Sequence, residues 1–132
     1  MQNLINTALN AVWPQICAPR ELRTPDASAG RIFTLVKFDQ TSVDITTEGG
    51  SSLRIQREAF FEALRYLTEN QHGESFPCEI RFDQRGEKAG SLCHATSAVN
   101  SGTLVITYIV PMLETNGFDA FSSCRPNAVW LV

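Results

Sequence analysis

The chain has 132 residues, of which 43% are hydrophobic and 19% charged. That length and balance suit one folded domain and disfavour a disordered segment. A net charge of −3 argues against a general grip on polyanions, and no run of about 18 apolar residues is present to span a membrane.

The opening "MQNLINTALNAVW" lacks a basic flank and a compact apolar centre. A secretory leader is therefore not expected, and the cytoplasm is the expected compartment. Leu4, Ile5, Ala8, Leu9, Val12, Trp13 and Ile16 recur at helical spacing. They predict an amphipathic helix over about residues 2–13, with Pro14 bending or ending it. Such a stripe is expected to cover the core, a dimer contact being its other use. Residues 18–30, "APRELRTPDASAG", read as a surface loop with two prolines and a terminal glycine.

Three strand-like segments follow: "RIFTLVKFD", "SVDITTEGG" and "SSLRIQ". The turn chemistry at Asp39–Ser42 and at Gly49-Gly50 predicts an antiparallel meander with one face in water. "REAFFEALRYLTEN" predicts a helix over 57–70, with Phe60, Phe61, Leu64 and Leu67 as its stripe. Gly73 is expected to cap it and His72 to complement its dipole. A strand over 77–82 and a polar turn come next. Then a short helix over 90–99 is expected to turn Leu92, Ala95 and Val99 to one side.

The stretch from Thr103 to Val110 is ambiguous. Six of its eight residues are β-branched, which favours a strand. A helix can still form if Thr107 caps its start, so that Pro111 falls in the first turn and Gly117 ends it. Context favours that helix, over about 107–116. The apolar segments "FDAFSSC" and "NAVWLV" then suggest a hairpin.

The order helix–strand–helix–turn–helix–hairpin over residues 56–132 resembles a winged helix. "TYIVPML" resembles segments of small bacterial proteins of unassigned function. The reading is a single α+β domain, 1–132: an N-terminal helix and three-stranded antiparallel meander over 1–55, then a winged-helix-like region over 56–132. That resemblance implies a recognition helix at 107–116. Yet this segment offers Thr107, Tyr108, Thr115 and Asn116 beside Glu114, and no cation. From Ala89 onward Arg125 is the only Lys or Arg.

Catalytic and metal signals are sparse. Cys17, Cys78, Cys93 and Cys124 form no CxxC pair and read as small buried thiols. A zinc site from Cys78, Cys93, His94 and Cys124 lacks the tight paired spacing of structural zinc modules. Cys93 and His94 are sequence neighbours, which splays them on a helix. No glycine-rich phosphate loop, GxSxG or HExxH occurs. The expectation is a non-catalytic binding protein without cofactor, metal or membrane contact. It acts through a protein partner or homo-oligomer, with Trp13, Tyr108 and Trp130 as contact residues. The alternative is a nucleic-acid-binding regulator or accessory factor, including one of a mobile element, using Arg81, Arg85, Lys88 and Arg125. Third is a metal-dependent nuclease on Glu79, Asp83 and Glu87 with Lys88.

Overall fold

The computed structural model describes residues 2–25, 30–80, 91–122 and 128–132. The protein is a mixed α+β structure. Helix α1 (Gln2–Ile16) lays Ile5, Leu9, Trp13 and Ile16 on the core. It runs past Pro14 rather than stopping there. Pro14 removes a single amide bond near the end of the helix, and buried Ile16 keeps the last turn seated. Arg20 holds the orphan carbonyls there, donating to the oxygens of Gln15, Ile16 and Ala18 at 3.3, 3.0 and 2.9 Å.

The meander has four strands, not three. Strand β1 (Arg20–Arg23) lies within the expected loop and pairs with β2 (Ile32–Phe38), Arg20 opposite Leu35 and Arg23 opposite Ile32. Strands β3 (Ser42–Thr47) and β4 (Ser52–Gln56) complete an antiparallel sheet in order β1-β2-β3-β4. Phe33, Leu35, Val43, Ile45 and Ile55 fill its inner face. A bulge between Leu35 and Lys37 shifts the β2 register. On the outer face Asp44 takes Arg54 at 2.9 Å and Lys37 at 3.9 Å across neighbouring strands. The Asp39 carboxylate closes the β2–β3 turn by accepting the Thr41 and Ser42 amides at 2.8 and 2.9 Å.

Helix α2 (Arg57–Glu69) follows β4 without a loop and buries Phe60, Ala63, Leu64 and Leu67. Phe61 is only partly buried, at the rim of that stripe. The helix ends earlier than Gly73 suggests. Gln71 takes the left-handed turn, with φ of 56°. The His72 amide reaches back to the Leu67 carbonyl at 2.9 Å and the Gln71 amide to Thr68 at 3.1 Å. His72 therefore caps through its backbone. Its ring stacks between Tyr66 and Phe76 at 5.9 and 4.8 Å. A side chain in this backbone region is strained, so Gln71→Gly is expected to stabilise the fold by about 1 kcal/mol in urea denaturation. An unchanged or lower midpoint counts against this cap.

The second part contains β5 (Cys78–Glu79), α3 (Leu92–Ala98), α4 (Ile106–Glu114), β6 (Asp119–Ser122) and β7 (Ala128–Leu131). The three strands form an antiparallel sheet in order β5-β7-β6. Ser91 caps α3, accepting the His94 amide at 3.1 Å. The helix buries Leu92 as expected, but with Cys93, Thr96 and Ser97; Ala95 and Val99 are only partly buried. The reason is its small polar side chains: the Thr96 hydroxyl bonds back to the Leu92 and Cys93 carbonyls at 3.0 and 3.1 Å, so it enters the core satisfied.

The β-branched run in question is helical from Ile106 on. Pro111 sits within α4, and Gly117, with φ of 77°, supplies the turn at its end. The Phe118 amide bonds to the Leu113 carbonyl at 3.2 Å and the Gly117 amide to Glu114 at 3.0 Å. Burial decides against strand propensity here: Ile106, Ile109, Val110, Met112 and Leu113 are each at most 1% exposed. One hydrophobic cluster runs from Ile5 to Val129 and joins both sheets. Among the described residues no helix is long and apolar enough to cross a membrane.

Candidate functional site

The three expected contact residues lie in different settings. Trp13 is 3% exposed and belongs to the core. Its indole donates to the Asp39 carbonyl at 2.7 Å and its ring meets Phe60 edge-on at 5.1 Å. The Arg57 guanidinium lies 5.6 Å over its centre. Trp13 is thus unavailable to a partner while the fold is intact. Tyr108, half-buried on α4, meets Phe33 of β2 edge-on at 5.1 Å. Trp130 is half-buried on β7, opposite Ala120. Alternation puts Trp130 and the exposed Val132 on the face opposite buried Val129, away from the core.

Sequence position made α4 the candidate reading element, and its surroundings are informative. A helix apolar on every side is a buried helix. Sheet β1-β2-β3-β4 supplies part of the cover: β1 packs against α4 and Phe33 meets Tyr108. Arg20 donates to the Thr115 hydroxyl at 2.7 Å and fastens the end of α4 to the end of α1. At that end of α4 Glu114 and Thr115 are exposed.

The cations fall into two groups. Seven of the eleven Lys and Arg are among the described residues, and each has a partner. Arg20 and Arg23 bond to carbonyl oxygens, Arg31 meets Glu48, and Lys37 and Arg54 meet Asp44. Arg57 meets Asn10 and the Gln40 carbonyl, and Arg65 meets Glu62 and Glu69. Arg81, Arg85, Lys88 and Arg125 lie outside the described residues, as do Asp83, Glu87 and Cys124.

A groove of about 670 Å³ opens between α1, the β2–β3 turn and the start of α2. Asn6, Gln40, Thr41, Arg57, Glu58 and Phe61 line it. It holds no cysteine or histidine. Burial pushes the Cys17 thiol up to about 12 and the Cys78 thiol up to about 11, which suppresses the reactive thiolate of both. Cys93 is 4% exposed whereas His94 is exposed, so these neighbours point to different sides of α3. Among the described residues no three His, Cys, Asp or Glu side chains gather as a metal site.

Two side chains that sequence reasoning passed over are buried and polar. Asn100, 4% exposed, bonds to the backbone of β4. Asp119, 3% exposed, has no hydrogen-bond partner for either carboxyl oxygen among the described residues. Burial, with the charge of Glu114 second, pushes its carboxyl up to about 8. Only the place of Asn100 at a helix end, before Ser101-Gly102, hinted at a local role. Comparison of the chain with protein-family models, with curated proteins and with solved structures finds no match.

Proposed function

We propose that this is a non-catalytic interaction protein of the cytoplasm, acting through protein contacts or self-association. We read residues 56–132 as a winged-helix-like region adapted to packing. The order α2-β5-α3-α4-β6-β7 and the strand order β5-β7-β6 support that reading. The observation that carries the proposal is the burial of α4 beneath the first sheet. A helix that reads DNA offers Arg, Lys, Asn or Gln to base edges and phosphates. This one offers almost none, and the described cations are engaged elsewhere. The outward face of the second sheet, with Trp130 and Val132, is the contact surface we favour.

One observation keeps a nucleic-acid reading in second place. The register sets Glu79 and Ser122 beside Ala128, at one end of the second sheet. Arg81, Arg85, Lys88 and Arg125 follow Ile80 and Ser122 in sequence and lie outside the described residues. Light scattering and a duplex-binding assay at low salt separate the two readings. The expected result is an oligomer that Trp130→Ala reduces to monomer, with no DNA shift. A monomer that binds duplex DNA, with affinity falling steeply as salt rises, selects the second reading.

A further inference from the structure

Asp119 opens β6 two residues after the glycine that ends α4. Its partner across the ladder is Leu131, which packs against the core, and Val129 on the same face is fully buried. Cross-strand partners share a face, so the Asp119 side chain enters the apolar space between the second sheet and the helices. The titratable groups on the elements packed there are Glu114 and Tyr108 on α4, Cys78 and Glu79 on β5, and Arg57, Glu58, Glu62, Arg65, Tyr66 and Glu69 on α2, which meets β7. β7 carries none, and the two cations, Arg57 and Arg65 of α2, are engaged with Asn10 and the Gln40 carbonyl and with Glu62 and Glu69 rather than with Asp119. His72 lies beside β7 on its β5 side, its carbonyl accepting the Leu131 amide at 2.9 Å. Arg20 reaches the end of α4 at Thr115 but directs its donors to that hydroxyl and to carbonyls of the α1 terminus.

An ionised carboxylate without a partner is too costly in such a place, so the folded chain keeps the proton. A carboxyl released to water ionises in the ordinary acidic range. The hairpin is the element best able to give way. It is short, and among the described residues its far side is held by a two-residue ladder to β5, one backbone bond to His72 and a small contact with α2. We propose that the seating of the β6–β7 hairpin on α4 is proton-linked through Asp119: the protonated carboxyl holds the hairpin in place, and ionisation releases it. Release uncovers the apolar faces of α4 and β7.

The sign follows from the two carboxyl states. The open hairpin binds fewer protons than the closed one between the ordinary Asp range and about pH 8, so opening rises with pH across that interval. The test is carboxyl-carbon NMR titration of Asp119 in the intact protein, with hydrogen exchange corrected for intrinsic rate. Between roughly pH 5 and pH 8 the Leu131 amide should lose protection about tenfold per pH unit. The Leu64 and Leu67 amides of α2 should not, and Asp119→Asn should flatten the profile. Titration of Asp119 in the ordinary acidic range overturns the proposal without any variant. So does equal loss of protection in α2, or an unchanged profile in Asp119→Asn.

Discussion

Replacing Asn100 with leucine is expected to lower the stability of the fold by about 3 kcal/mol, read as a shift of the urea midpoint at constant slope. The side chain acts as one more residue of strand at the edge of β4. Its Oδ1 accepts the Gln56 amide at 2.7 Å and its Nδ2 donates to the Arg54 carbonyl at 3.2 Å. Both bonds are part-buried and bridge the two halves of the molecule, since Asn100 follows α3 and β4 belongs to the first sheet. Leucine leaves a backbone donor and acceptor unpaired, at about 1–3 kcal/mol each. Asn100→Asp preserves the bond to Gln56 but places a second acceptor against the Arg54 carbonyl. It should cost at least as much near neutral pH, because it buries a charge against a carbonyl oxygen. A loss under about 1 kcal/mol for the leucine variant means that water replaces the clamp and the bridge is not structural.

Asn100 also shows where sequence reasoning stops. Asparagine before Ser-Gly is turn chemistry, and turn chemistry is local; nothing in the chain announces a partner 44 positions away. Strand β1 is hidden for a related reason. Arg20-Glu21-Leu22-Arg23 has the charged make-up that protects a sheet edge, and in one dimension an edge strand of this kind looks like a loop. Where apolar period and length were strong, as in α2, the elements stand close to their expected bounds. Helix α4 was legible through its context and Gly117, not through the expected Thr107 cap: the helix opens at Ile106 without a side-chain cap and carries Pro111 in its second turn, while the β-branched preference gives way to burial. Asp119 gave no signal: an aspartate beside Phe118 in a hairpin reads as a surface charge. Only the ladder to Leu131 turns it inward.

Phe33→Ala is expected to cost about 4 kcal/mol, the largest single loss considered, because a fully buried ring is deleted at the joint between the first sheet and α4. Phe33 is 1% exposed and lies edge-on to Tyr108 at 5.1 Å. A domain of this size has about 5–15 kcal/mol in hand, so the variant should remain folded at low temperature but narrowly. A milder cycle isolates the contact itself: Phe33→Leu and Tyr108→Leu, singly and together, should show a coupling of about 1 kcal/mol. The same variants probe function. Loosening the sheet exposes an apolar, uncharged helix, so self-association should increase while affinity for duplex DNA stays absent. If Phe33→Leu instead gained salt-dependent DNA binding, the first sheet would be masking a reading helix. The burial of α4 would then be inhibition rather than architecture.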